Sequence, residues 1–240
     1  SPNGKNINDG CGSTKPDLLM LTVQAVGADV GVALDGDGDR LLMVDHAGQL
    51  IDGDQLLYLM ARARQEAGEL NGPVVGTLMS NLGLERALGE LGIEFLRARV
   101  GDRYVLETLR ERGGVLGGET SGHLLCLDKT TTGDGLISAL QVLSVMASTG
   151  RPLAELVAPM SRLPQTLINV RTAERLDLQA PGVQAAVATA EDRLGDRGRI
   201  LVRASGTEPV IRVMVEGEDD GEVTSIAESL AGQIESLAAA

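Results

Sequence analysis

The sequence predicts an α/β protein with two mixed α/β sheet domains, the first incomplete, followed by a small α+β C-terminal domain of order β-α-β-β-α. Short apolar runs alternate with longer segments in which apolar residues recur every three to four positions, which is typical of sheets covered by helices. The turn formers Asn71-Gly72-Pro73 and the pair Leu163-Pro164 interrupt this rhythm. We therefore expect three domains, over residues 1–71, 72–162 and 163–240.

In the first predicted domain, the helices and strands surround one acidic loop. Helical spacing runs from Leu18 to Val26 and precedes a strand over residues 30–34. Residues 41–44 and 49–51 form a predicted hairpin, because a turn-forming segment separates them. Asp54 then opens a helix that extends to about residue 68.

The second predicted domain alternates strands and helices, and the third changes to a strand-rich order. In the second domain the predicted strands are 74–79, 93–100 and a pair within 115–127, and the predicted helices are 80–91 with Ser80 as N-cap, 101–112, 136–146 and 153–160. In the third domain the predicted strands are 166–171, 199–203 and 210–216, and the predicted helices are 183–194 and 222–237.

The acidic loop holds the carboxylates Asp35, Asp37 and Asp39. Side chains at alternate positions of an extended segment point to one side, and we expect Gly36 and Gly38 to adopt positive φ, so that the carboxylates converge. Oxygen ligands in a tight cluster suit a hard divalent cation, Mg²⁺ before Ca²⁺. The adjacent Arg40 is a fixed cation and indicates that an anion is also handled here.

The acidic loop has three other interpretations. A solvated turn between two strands is the simplest. A Ca²⁺-binding EF-hand loop does not fit, because its sixth and twelfth positions would be Arg40 and His46, where Gly and Glu are required. A phosphatase with Asp35 as nucleophile remains open, although Asp39 occupies the place of the Thr or Val expected in such enzymes.

Composition limits the partners of the chain. A net charge of −13 argues against non-specific binding to nucleic acid or anionic membranes, and an aromatic content of 1% argues against base stacking. Cys11 and Cys126 lack metal-binding spacing and are typical of reduced thiols. No apolar run reaches the roughly 18 residues of a membrane span. We expect a cytoplasmic protein with neither nucleic acid nor membrane as a partner.

Two further segments suit anionic ligands. Gly101-Asp102-Arg103 begins a predicted helix and therefore offers free backbone N–H groups beside one cation. The turn Arg203–Pro209 offers hydroxyls and backbone N–H groups, and Arg212 lies just inside the next strand, a combination suited to a phosphate dianion. A hairpin whose Arg residues serve solubility is the alternative interpretation of this turn.

Three segments together resemble a known family. Asp35-Gly-Asp-Gly-Asp-Arg40, Gly118-Glu-Thr-Ser-Gly-His123 and Arg203-Ala-Ser-Gly-Thr-Glu-Pro209 resemble the metal, sugar and phosphate loops of the α-D-phosphohexomutases, in that order. The resemblance covers essentially the whole chain. Four more motifs are similar to the phosphoglucosamine mutase branch of the family: Thr77-Leu-Met-Ser-Asn81, Val100-Gly-Asp-Arg-Tyr-Val105, Asp128-Lys-Thr-Thr-Thr-Gly-Asp-Gly135 and Ile211-Arg-Val-Met-Val-Glu-Gly217.

The resemblance implies an isomerase that interconverts glucosamine 6-phosphate and glucosamine 1-phosphate on the route to UDP-N-acetylglucosamine. A phosphoserine on an N-terminal domain would donate its phosphoryl group, giving a sugar bisphosphate that reorients. The implied cofactor is Mg²⁺, and a homodimer is compatible with the family. The implied metal ligands are Asp35, Asp37 and Asp39, with the phosphoserine as a fourth. The implied catalytic and substrate-binding residues are Arg40, Gly101, Asp102, Arg103, Glu119, Ser121, Arg203, Ser205, Gly206, Thr207 and Arg212.

His123 has two interpretations within the resemblance. In the first, it is a functional residue that belongs to the sugar site or assists proton transfer. In the second, it is a structural histidine.

The chain departs from the family pattern at its N-terminus. Family members have four domains, and the first carries the phosphorylated Ser in a loop that this sequence lacks. We therefore expect the chain to be the larger, C-terminal part of such an enzyme, as a fragment or a natural truncation, and to be inactive alone. A phosphomannomutase or phosphoglucomutase remains an alternative, because Thr120 occupies the variable position of the sugar loop. The second alternative is that the chain is a non-catalytic sugar-phosphate-binding module or an interaction partner of an intact subunit.

Overall fold

The chain forms two compact units, which are described separately below. The computed structural model describes residues 3–172, 176–205 and 209–238. Unit 1 is Ser1–Ser161 and unit 2 is Arg162–Ala240, so the division falls beside the boundary predicted after residue 162. The additional boundary after residue 71 stays a prediction.

Unit 1 alternates helices with short strands. Its helices are α1 (Asp17–Val26), α2 (Gly53–Glu66), α3 (Leu82–Glu90), α4 (Asp102–Arg112), α5 (Gly135–Thr149) and α6 (Leu153–Val157). Its strands are β1 (Val30–Leu34), β2 (Leu41–Asp45), β3 (Leu50–Ile51), β4 (Val74–Thr77), β5 (Phe95–Ala98), β6 (Leu116–Gly118) and β7 (Leu124–Cys126).

The first sheet of unit 1 is an antiparallel meander in the order β1-β2-β3. All five residues of β2 are buried, since this strand has a neighbour on each side. Leu34 and Leu41 are the last pair of the β1–β2 ladder. The acidic segment 35–40 is therefore the loop of a hairpin whose two strands fix its ends.

The second sheet of unit 1 is mixed, in the order β5-β4-β6-β7. The strands β5, β4 and β6 run parallel, and β7 returns antiparallel to β6. The segments after the three parallel strands consequently leave the sheet at the same edge. These segments are the 78–81 turn, the start of α4 and the 118–123 loop.

Unit 1 has two clusters of buried apolar side chains among its described residues, and the larger one joins β2 to three of the helices. Buried side chains from β2, α2, α3 and α5 pack together, and Leu56, Leu57 and Leu84 have no exposed surface. The start of α2 is fixed by a capping box, in which Asp52 accepts from the N–H of Gln55 at 3.1 Å and the Gln55 side chain accepts from the N–H of Asp52 at 3.3 Å. The first turn of α2 is therefore firmly held.

Unit 2 is a three-stranded antiparallel sheet with two helices. Its elements are β8 (Gln165–Arg171), α7 (Pro181–Leu194), β9 (Gly198–Ala204), β10 (Val210–Gly217) and α8 (Asp220–Ala238), with a 3₁₀ turn over Gly195–Arg197. The strand order is β8-β10-β9, so β10 is central. Both helices contribute to the apolar core of this unit. Glu216 on β10 has no exposed surface and pairs with Arg199 on β9.

The predicted mixed α/β architecture is confirmed, and so is the β-α-β-β-α order of unit 2. One cap was wrong. Asn81, not Ser80, caps α3 by accepting from the N–H of Gly83 at 2.9 Å, because the Ser80 hydroxyl instead accepts from the N–H of Thr77. Among the described residues, no helix has the length and apolar character needed to cross a membrane.

Candidate functional site

The three carboxylates of the 35–40 loop lie close together. Asp35, Asp37 and Asp39 each offer an oxygen, and these oxygens all lie within 4.8 Å of one another. Asp35 is held from within the loop, since its Oδ1 accepts from the N–H of Arg40 at 3.1 Å. The Arg40 Nε lies 3.8 Å from Asp35 Oδ2, and the Arg40 side chain remains about half exposed.

The two glycines of this loop serve different purposes. Gly38 adopts the predicted positive φ, at +74°. Gly36 does not, which corrects the prediction. A Cβ at Gly36 would lie 2.0 Å from Cγ2 of Ile7, so the absence of a side chain permits a close approach rather than a left-handed turn.

The residues fit a hard divalent cation. Mg²⁺ binds oxygen at about 2.1 Å in an octahedron, so pairs of its ligand oxygens lie about 3 to 4.2 Å apart. The observed 4.8 Å limit for the three carboxylates is close to this range, and the side chain of Asp37 is exposed. An all-carboxylate donor set also suits Mg²⁺ better than softer metals.

His123 links the 35–40 loop to the 118–123 loop. Its Nδ1 lies 2.9 Å from Asp39 Oδ2, and because an ionised carboxylate can only accept, Nδ1 is the donor. A Cβ on Gly133 would lie 2.4 Å from both Cε1 and Nε2 of His123, so the ring is in contact with backbone on that side. The His123 side chain is only 7% exposed. This packing lets His123 fix the orientation of Asp39.

Backbone hydrogen bonds hold the two loops together. The N–H of Leu41 donates to the carbonyl of Gly122 at 2.9 Å, and Arg40 and His123 form an isolated antiparallel bridge. The 118–123 loop therefore extends the hairpin that carries the carboxylates.

The same loop also contacts the start of α4. Glu119 Oε1 accepts from the N–H of Gly101 at 3.0 Å. This bond occupies one of the N–H groups that the sequence analysis expected to be free for an anion. Gly101 has φ +125°, a conformation that only glycine adopts without strain. Asp102 and Arg103 are exposed on the first turn of α4, and neighbouring Tyr104 stacks against the Arg99 guanidinium at 3.9 Å.

Beneath the 118–123 loop lies a buried carboxylate that the sequence analysis did not identify as a site residue. Asp54, on the first turn of α2, has no exposed surface. Its Oδ2 accepts from the Thr120 hydroxyl and from the N–H of Asn81, each at 2.8 Å. Burial, followed by the charge of Asp52, raises the pKa of Asp54 to about 6.

The predicted phosphate residues lie in unit 2. Arg203 and Arg212 are directly paired across β9 and β10, so both side chains lie on one face of the sheet. Each has a buried Nε without a hydrogen-bond partner among the described residues. Burial and the charge of Arg212 lower the pKa of Arg203. Ser205 is buried beside them, whereas Gly206 and Thr207 lie outside the described residues. Paired guanidinium groups of this kind suit an oxyanion.

Comparison with known protein families assigns most of the chain. Residues 52–163 match the model of the phosphoglucomutase/phosphomannomutase α/β/α domain III, and residues 167–233 match the C-terminal domain of the same family. The two matches together cover well over half of the sequence. The chain belongs to the phosphoglucomutase/phosphomannomutase family. The first match begins at the N-cap of α2, so it includes a helix that the sequence analysis assigned to the preceding domain.

Curated members of this family show high sequence identity to this chain. The phosphoglucosamine mutase of Alkalilimnicola ehrlichii is 58% identical over 234 residues, which are 97% of this chain and 52% of that relative. The phosphoglucosamine mutase of Methylococcus capsulatus is 58% identical over 235 residues, 98% of this chain and 53% of its own length. The chain therefore spans about half the length of the curated relatives it matches.

Solved structures share the fold. The N-acetylphosphoglucosamine mutase of Aspergillus fumigatus, solved in complex with GlcNAc-6P and magnesium, aligns with a TM-score of 0.80 at 23% identity, covering 96% of this chain and 54% of the other. An N-acetylglucosamine-phosphate mutase in its product complex aligns with a TM-score of 0.76 at 19% identity, covering 95% and 53%. These similarities support the architecture of both units.

Proposed function

We propose that this chain supplies the metal, sugar and phosphate loops of an enzyme that interconverts glucosamine 6-phosphate and glucosamine 1-phosphate. The observation that carries the proposal is the 118–123 loop, which contacts the carboxylate cluster through His123 and the start of α4 through Glu119. A sugar held by this loop would lie beside the proposed metal site. The 58% identity to phosphoglucosamine mutases supports glucosamine as the hexose.

The side chains of unit 1 have distinct roles in this proposal. Asp35, Asp37 and Asp39 would hold Mg²⁺, which would neutralise charge on the transferring phosphoryl group. Arg40 adds a fixed cation next to them. His123 orients Asp39, because its Nδ1 is already engaged by that carboxylate. The exposed hydroxyl of Ser121 and the carboxylate of Glu119 bind sugar hydroxyls, together with residues 101–103.

In unit 2, Arg203, Ser205 and Arg212 bind the phosphate that does not react, with Gly206 and Thr207 as further proposed contacts. The phosphoryl donor is the phosphoserine implied by the resemblance. Its phosphoryl group passes to a free sugar hydroxyl, and the return transfer from the other position of the bisphosphate restores the phosphoserine. We also propose a homodimer, which sedimentation of the intact protein would test.

The test is a coupled assay on the intact protein that contains this sequence. We expect kcat/KM to be highest for glucosamine phosphate and much lower for mannose and glucose phosphates. Preferential turnover of mannose or glucose phosphate would contradict the proposed substrate. The 240-residue chain alone, assayed in parallel, should show no interconversion, because none of its serines lies in the phosphoserine loop that the resemblance implies.

A second candidate function, sugar-phosphate binding without chemistry, is supported by the Arg203–Arg212 pair. This pair needs nothing from unit 1 to bind an anion. Calorimetry of the 240-residue chain with glucosamine 6-phosphate should show binding that Arg212→Ala weakens. Equal heats from the native chain and the variant would count against this function.

A further inference from the structure

The contacts of Asp54 single it out from the other buried polar groups of unit 1. One oxygen, Oδ2, accepts from the Thr120 hydroxyl and from the N–H of Asn81, both at 2.8 Å. It therefore joins three segments: the first turn of α2, the 78–81 turn after β4, and the 118–123 loop. The 78–81 turn is itself held, since Arg97 donates to the carbonyls of Thr77 at 3.1 Å and Ser80 at 2.6 Å.

Stability alone does not explain a carboxylate at this position. Among the described residues, Oδ1 of Asp54 is buried without a geometrically standard hydrogen bond, although the Ser80 hydroxyl also favours the ionised carboxylate. No Lys or Arg in that part of the chain forms an ion pair with the group. The carboxylate of Asp52 lies close enough to oppose its ionisation further. Burying a charge that is incompletely paired is unfavourable, and an apolar side chain would serve the core better.

The Asp54 contact determines which way the 118–123 loop faces. Thr120 points into the protein, while Ser121 on one side of it is exposed and Glu119 on the other reaches Gly101. The backbone is held as well, because the N–H of Gly53 donates to the carbonyl of Thr120 at 3.1 Å. A Cβ at Gly53 would lie 2.1 Å from the carbonyl oxygen of Glu119, so helix and loop are in direct backbone contact.

We propose that Asp54 is a positioning residue, which anchors Thr120 and thereby aims Glu119 and Ser121 at the sugar. This inference rests on the sugar-binding role proposed above for the 118–123 loop. It gives the variable position of that loop a specific physical role. Thr120 does not itself contact the substrate. It affects sugar binding indirectly, by fixing the conformation of the neighbouring Glu119 and Ser121.

The first test uses the intact protein and a graded set of variants. Thr120→Val removes the hydroxyl and keeps the shape, whereas Thr120→Ser keeps the hydroxyl. We expect Thr120→Val to raise KM for glucosamine 6-phosphate about tenfold or more. It should also lower the ratio of kcat/KM for glucosamine 6-phosphate to kcat/KM for glucose 6-phosphate. Thr120→Ser should keep both quantities near their wild-type values. Asp54→Asn retains an acceptor oxygen and should lose less than Asp54→Ala. In a double-mutant cycle, adding Thr120→Val to Asp54→Ala should cause little further loss.

Arg64→Met is the control for a purely structural role. Arg64 is also buried and charged on α2, and it pairs with Asp128 at 2.8 Å, away from the loop. It should lower Tm without changing the substrate preference. If Thr120→Val keeps the wild-type KM and preference, or changes only as Arg64→Met does, the positioning role is refuted.

A second measurement separates this inference from the proposed function. Amide hydrogen exchange of the 240-residue chain reports directly on the 118–123 loop, whether or not the intact protein is a mutase. Exchange at these amides should accelerate in Thr120→Val and Asp54→Ala and remain unchanged in Arg64→Met. Accelerated exchange together with no mutase turnover would refute the proposed function alone, and unchanged exchange would refute the anchor.

Discussion

Gly133→Ala should weaken Mg²⁺ binding although Gly133 contributes no ligand. The new Cβ would lie 2.4 Å from Cε1 and Nε2 of His123, where ordinary van der Waals contact begins at 3.4 Å. The ring must therefore move by about 1 Å, which either breaks its bond to Asp39 or displaces that carboxylate. A hydrogen bond to a charged group contributes about 1.5–3 kcal/mol, which corresponds to a loss of about 10- to 100-fold in affinity.

The assay is calorimetric titration of the intact protein with Mg²⁺, at a temperature where circular dichroism shows each variant to be folded. Gly89→Ala is the matched control, because Gly89 lies in α3 with nothing within 4 Å of the added Cβ. It should bind Mg²⁺ like the wild type. A Gly133→Ala protein with wild-type Mg²⁺ affinity would refute the argument that His123 orients Asp39.

Two further predictions concern stability. Glu216→Gln should destabilise unit 2 by about 1.5–3 kcal/mol in urea unfolding, because Glu216 is fully buried and Gln removes the negative charge that it presents to Arg199. Glu155→Gln, in an exposed pair with Arg151, should cost less than about 1 kcal/mol. Equal effects would contradict this account. Asp54, with its pKa raised from 3.8 to about 6, stabilises the fold most at low pH and loses this contribution as pH rises through 6. From pH 4 to pH 7, the unfolding free energy of Asp54→Asn relative to wild type should therefore increase by about 2.4 kcal/mol, and a pH-independent difference would exclude the raised pKa.

The regular elements could be predicted because their patterns are local. The strand 30–34 was predicted with its observed bounds, since it is a short apolar run between turn formers. The cap of α3 was missed by one residue. Ser80 and Asn81 are both good caps, and the choice depends on the N–H of Thr77, which the Ser80 hydroxyl bonds. A competition of that kind is invisible in a single sequence.

The candidate site could be predicted from the sequence only in part, for a similar reason. Three closely spaced Asp residues indicate a cation loop by themselves, and the structure brings their oxygens together. Asp54 gave no such signal, because an acidic residue in the first turn of a helix normally faces solvent and interacts with the helix dipole. Its burial depends on the 118–123 loop, which is 66 residues away in sequence at Thr120. The contact of Gly133 with His123 spans a much shorter stretch of sequence, but it lies across β7 and the turn that follows, so no helical or strand period indicates it.

The central strand of unit 2 is also the last strand to be synthesised. Because β8 and β9 both pair with β10, neither has its sheet partner on the ribosome until Val210–Gly217 has emerged. At about 5–20 residues per second, β8 waits several seconds with its edges unpaired. Translation that stops before Val210 leaves two strands that cannot form this sheet, so a premature stop there yields an aggregation-prone product.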